Sequence, residues 1–196
     1  MPRTLKTLRI ADGATSTVWD YRPETQPNGG VIGLRACVHH IPVMYDQAGR
    51  GDLDALRRVL LDQDLMVQFG TDRDGNVALF TRANRLCFHA RGGNSMTCGI
   101  EHMHYVTTDG WSHRQLRAAA WIAQYLEREY GLPLRMADLE PGPGVVRIVR
   151  TGHTSHQQVS RMAGYNDRTD PGHGFDYEYV FRAAAFFKRH GHFVGA

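Results

Sequence analysis

The sequence predicts an α/β fold, a central mixed β-sheet flanked by α-helices, in a single domain. Three observations lead there. Apolar, β-branched stretches alternate with segments of helical periodicity, a hairpin signature separates two of those stretches, and 196 residues at 42% apolar content are enough for one core. With 22% of residues charged, the composition excludes disordered, collagen-like and coiled-coil chains. No repeat, low-complexity tract or linker divides the chain. The expected organisation is a loop-rich lead-in over residues 1–30 and one domain over 31–196.

Within the lead-in, Gln26-Pro27-Asn28-Gly29-Gly30 is a turn signal. Val31 to Ile41 then reads as a buried strand closed by Pro42. Its period of two puts Cys37, His39 and Ile41 on one face and Val38 and His40 on the other. Leu53, Leu56, Leu60 and Leu61 recur at helical spacing over residues 52–65. Residues 65–70 and 77–81 flank Asp72-Arg73-Asp74-Gly75-Asn76, a hairpin pattern. Thr97 to Val106 predicts another strand, with Gly99, Glu101 and Met103 on one face and Cys98, Ile100, His102 and His104 on the other. A serine cap, good helix formers and a Gly131-Leu132-Pro133 stop predict a helix from Ser112 to Tyr130. Residues 145–149 read as a short strand, 151–174 as irregular, and 175–190 as a closing helix.

Of 23 basic residues only Lys6 and Lys188 are lysine, and the net charge is +3. Arginine spread without a basic cluster reads as coding bias and solvated surface rather than adhesion to an anionic surface, so no nucleic-acid partner is expected. Three cysteines make no disulfide framework and suit a reducing compartment. No apolar run approaches the ~18 residues of a membrane span. The start, Met1-Pro2-Arg3-Thr4-Leu5-Lys6, lacks the apolar core of a signal peptide. The expectation is a monomer without membrane attachment, made in the cytoplasm.

Three clusters can carry chemistry: Val38-His39-His40 ending a strand, Cys98-Gly99-Ile100-Glu101 within one, and Gly152-His153-Thr154-Ser155-His156 followed by Arg168-Thr169-Asp170-Pro171-Gly172. Each alone is an ordinary feature. Together they hold two histidines, an aspartate and a further carboxylate, the set an open catalytic zinc site needs.

The order His39-His40, Asp72-Arg73-Asp74-Gly75, Phe88-His89-Ala90, Gly99-Ile100-Glu101, Tyr130-Gly131-Leu132-Pro133, His156-Gln157-Gln158-Val159 and Thr169-Asp170-Pro171-Gly172 resembles the zinc N-acetylmuramoyl-L-alanine amidases. These share a fold with peptidoglycan recognition proteins. The similarity spans residues 30–185 and is greatest to amidase domains of endolysins from phages of actinobacteria. It implies zinc held by His39, His156 and Asp170, with His153 open as an alternative to His156. His39 is taken over His40 as the first histidine after the apolar strand. Glu101 is implied as the proton carrier and His89 as a substrate-facing residue of the cleft. Arg168 stands where the family often has lysine, and can stabilise an oxyanion but not give up a proton. The family's occasional tyrosine before the hairpin is replaced by Val67. Residues 156–170, longer than usual, suggest a substrate-facing loop holding Tyr165. His102 and His104 are expected to be packing or surface groups, and His173 a surface residue. The implied partner is bacterial peptidoglycan, reached from the host cytoplasm after release. A non-catalytic wall-binding module of the same fold is the alternative.

Overall fold

The computed structural model describes residues 3–9, 15–22, 29–42, 53–104, 110–172 and 174–191. Along the chain run β1 (Arg3–Arg9), β2 (Thr15–Asp20), β3 (Ala36–His40), α1 (Leu53–Asp62), β4 (Phe69–Thr71), β5 (Val77–Leu79) and β6 (Thr97–His102). They are followed by α2 (His113–Tyr130), β7 (Asp138–Glu140), β8 (Arg147–Arg150), β9 (Gly152–Ser155), α3 (His156–Met162) and α4 (Tyr177–His190). Seven strands form one sheet in the order β1-β2-β5-β4-β6-β3-β9, and β7 and β8 pair separately. The sheet is mixed, as expected: β4, β6, β3 and β9 are mutually parallel, while β1–β2 and β4–β5 are antiparallel.

The helices follow local signals. The Ser112 side chain accepts from the Gln115 N–H at 3.1 Å, and Gly131 closes α2 in the left-handed region at φ 69°. The Ser112 hydroxyl also donates to the Arg73 carbonyl at 2.8 Å, tying the helix start to the β4–β5 hairpin. Ser112→Ala is therefore expected to lower unfolding free energy by about 1 kcal/mol, read from urea denaturation. In that hairpin the Asn76 N–H donates to Asp72 Oδ1 at 2.8 Å, and Gly75 turns the chain at φ 85°. A Cβ at Gly75 would lie 2.8 Å from the Arg114 carbonyl oxygen, so the close approach to α2 also needs glycine.

The helices α2 and α4 cover one face of the sheet. Leu116, Ile122 and Leu126 of α2 and Val180 and Phe187 of α4 pack there on Val18, Phe69, Leu79 and Ile100. The opposite face is shared. Leu53, Leu56 and Leu60 of α1 cover Met66, Val67 and Phe80, and Val159 of α3 covers Val38 and Ala90. Those two clusters flank the ground on which the site lies.

Three expectations differ from the structure. Residues 31–35, expected to be part of a buried strand, precede β3, and Val31 is exposed. The lead-in, expected to be loop-rich, carries β1 and β2, and Val18 of β2 is part of the α2-facing core. The stretch 151–174, expected to be irregular, begins with β9 and α3. Gly152-His153-Thr154-Ser155 has little strand propensity of its own. Pairing with β3 supplies what propensity does not.

Candidate active site

Parallel register assembles the site. His40 ends β3 and pairs directly with Glu101 of β6, while His39 pairs with Ser155 of β9, so His156 follows alongside His40. Ligand sites at the carboxyl ends of parallel strands are the general rule for such sheets. Ser155 caps α3 by accepting from the Gln158 N–H at 3.0 Å, which sets His156 as the first residue of the helix. The Gln157 N–H donates to the Asp170 carbonyl at 3.0 Å and the Ile41 N–H to Asp170 Oδ2 at 3.3 Å, so the loop is held at both the helix and the strand.

Three donor atoms converge. His40 Nδ1 lies 2.9 Å from His156 Nδ1, His156 Nδ1 3.2 Å from Asp170 Oδ2, and His40 Nδ1 3.6 Å from Asp170 Oδ2. A tetrahedral ion with ligands at about 2.0 Å separates them by about 3.3 Å, so the spacing fits zinc. The protons fit as well. The Thr97 carbonyl can only accept, so His89 donates to it through Nε2 at 3.2 Å, leaving His89 Nδ1 to accept from His40 Nε2 at 3.0 Å. The His40 Nδ1 lone pair is then directed at the other two donors, the orientation that outer partners give to metal-bound histidines. Burial, then the neighbouring His156 and His89, hold His40 well below the usual imidazole range, and burial takes His89 down to about 4. Both shifts favour the neutral ring, the form in which His40 could hold a metal.

Glu101 is nearly buried, and its Oε2 has no hydrogen-bond partner among the described residues. Burial first and the Asp170 carboxylate second push its carboxyl well above the ordinary range, while the Arg168 guanidinium pulls it back. These groups line an open cavity. Its polar side is His40, His89, Glu101, His156, Arg168 and Asp170; Ile41, Pro42, Leu56, Val59, Leu60 and Leu65 form an apolar wall. Gly99, on the Glu101 face of β6, leaves room for His89: a Cβ there would lie 2.8 Å from His89 Nδ1.

Of the residues singled out from the sequence, His156, Asp170, Glu101, Arg168 and His89 meet at this cavity. His39 does not. The face it shares with Cys37 is the one under α2 and α4, where its ring stacks beside His102 and packs on Phe175. His40, not His39, lines the cavity. The β3 residues are buried on both faces, so hydrophobic alternation carried no signal to choose between the two histidines. His153, the alternative to His156, also lies on the far face, 3.1 Å from His39. His102 is buried on that face, His104 stacks on Trp111 at 4.3 Å, and Val67 is buried under α1. Tyr165 is covered by the Arg91 guanidinium at 4.1 Å rather than lining the cavity, and His173 lies outside the described residues.

Solved structures share this architecture. The endolysin N-acetylmuramoyl-L-alanine amidase LysCS from Clostridium intestinale superposes with TM-score 0.56 at 15% identity, over 82% of this chain and 91% of that one. The Staphylococcus aureus hydrolase AmiA gives TM-score 0.58 at 19% identity, over 95% and 87%. Drosophila PGRP-LB gives 0.54 at 18%, over 91% and 97%. At such identities these likenesses establish the fold, that of the amidase and peptidoglycan recognition protein class. No curated protein matches the chain. A family model described as N-acetylmuramoyl-L-alanine amidase matches residues 34–173, and the chain belongs to that family.

Proposed function

We propose that the chain is a zinc-dependent amidase that cleaves the bond between N-acetylmuramic acid and L-alanine of bacterial peptidoglycan, in an endolysin-type role. The observation that carries this reading is the convergence of His40, His156 and Asp170 beside Glu101 and Arg168 in one open cavity of an amidase-family chain. Zinc held by the two imidazoles and the carboxylate supplies Lewis acidity toward the scissile carbonyl and the attacking water.

The chain's own residues do the rest. Glu101, in its ionised form, accepts a proton from the attacking water and returns it to the leaving nitrogen; the burial that raises its proton affinity makes it the stronger base. Arg168 sits at the exposed side of the cavity and offsets the negative charge that builds on the carbonyl oxygen. His89 holds the His40 ring in its tautomer. The apolar wall, to which α1 gives Leu56, Val59 and Leu60, offers a surface to the uncharged parts of the substrate. The presence of Asp170 beside the two histidines supports catalysis over simple wall binding.

The test is digestion of purified peptidoglycan, scored by new N-terminal alanine. Release that chelation abolishes and zinc restores is the expected result; binding without release would overturn the reading in favour of a wall-binding module. Arg168→Ala is expected to lower kcat about 10²-fold, the scale of one lost oxyanion partner, and Arg168→Lys to recover part of it.

A further inference from the structure

On the covered face of the sheet, under α2 and α4, lies a second group of donors. Cys37 and His39 alternate on β3, and His153 of β9 pairs directly with Cys37. One ligand atom from each lies within 4.8 Å of the others, and all three side chains are fully buried. We propose that Cys37, His39 and His153 bind a second metal ion, structural rather than catalytic, of the zinc class. This goes beyond the amidase reading and does not depend on it.

The donor set and spacing carry the assignment. A thiolate with two imidazoles is a donor set that zinc accepts and that the oxygen-seeking magnesium and calcium ions do not. His39 Nε2 and His153 Nδ1 are 3.1 Å apart, close to the ~3.3 Å between two nitrogens on one tetrahedral zinc. The outer partners suit ligation too. His39 Nδ1 lies 2.9 Å from His102 Nε2, and His102 Nδ1 lies 2.8 Å from Thr71 Oγ1. Of the two proton arrangements open to this chain, the one with His102 Nδ1–H donating to Thr71 Oγ1 and His39 Nδ1–H donating to His102 Nε2 leaves the His39 Nε2 lone pair free on the side of His153.

The surroundings close the site to substrate. Phe175 packs on the His39 ring at 4.8 Å and Phe181 on the His153 ring at 5.3 Å, and no carboxylate is among the groups that contact the three donors in the described residues. The Tyr177 ring meets His39 edge-on at 5.2 Å, and among the described residues its buried hydroxyl has no hydrogen-bond partner. The consequence for the cleft is mechanical. An ion here joins β3 to β9 directly behind the strand ends that carry His40 and lead into His156, so it fixes the spacing of two groups on the opposite face. Metal affinity of such a site is folding free energy.

Cobalt(II) is the probe, because the cleft set of His40, His156 and Asp170 contains no sulfur. The whole chain, stripped with chelator and reloaded, is expected to bind two cobalt ions and to show thiolate-to-cobalt charge-transfer absorption. His156→Ala is expected to bind one ion and keep that absorption, whether or not the protein proves to be an amidase. Cys37→Ser is expected to lose the absorption and one ion. Should that variant fail to fold, the wild-type and His156→Ala measurements decide alone. One ion in wild type without thiolate absorption, or no ion in His156→Ala, would overturn the proposal.

Discussion

His40→Ala is expected to empty the cleft of metal and to reduce amide hydrolysis by about 10³-fold or more, since Lewis-acid stabilisation contributes several kcal/mol. The variant also leaves His89 Nδ1 without its donor, a loss of about 1–3 kcal/mol that a folded domain of this size tolerates. His39→Ala is the informative control. That side chain lies on the far face, so its removal is expected to cost stability while kcat per folded molecule stays within about tenfold. Kinetics and metal content of the two variants, with thermal unfolding alongside, check the assignment. Loss of activity in His39→Ala with His40→Ala unaffected would return the ligand to the position that the family resemblance implied.

Glu101→Gln is expected to lower kcat by about 10²–10⁴-fold, the range for a lost general acid–base, with the cleft metal retained. The amide keeps the shape of the carboxyl and cannot carry the proton. Stability is expected to move the other way. A carboxyl whose folded-state pKa is raised above its unfolded value destabilises the fold once pH exceeds the unfolded value, because the unfolded chain ionises it more readily. At neutral pH the metal-free Glu101→Gln protein should therefore melt at a higher temperature than metal-free wild type, the trade of stability for chemistry seen at active sites. Full activity in Glu101→Gln would remove Glu101 from the mechanism.

The elements legible in the sequence are those with local punctuation. The Ser112 cap and the Gly131 stop mark α2 to within a residue, and Asp72 to Asn76 mark the hairpin between β4 and β5. Alternation on β6 correctly separated Glu101 from His102, since one faces the cavity and the other the buried network. Alternation on β3 separated His39 from His40 equally well, but which of its faces meets the cavity depends on how β3 sits between β6 and β9. β9 and α3 were hidden because their residues are polar and their stability comes from neighbours.

By itself the sequence determined the mixed α/β class, the main helices and the residue types of the site, because capping, turn chemistry and hydrophobic period act over a few residues. Order along the chain and family likeness brought Glu101, His156, Arg168 and Asp170 together as candidates. Only the tertiary structure places His40 rather than His39 at the cavity, since parallel register with β6 and β9 sets His40, Glu101 and His156 side by side at the strand ends. The same register puts Cys37, His39 and His153 together behind them. A one-residue step along a strand turns a side chain to the other face of the sheet, and that face is chosen by neighbours far away in sequence.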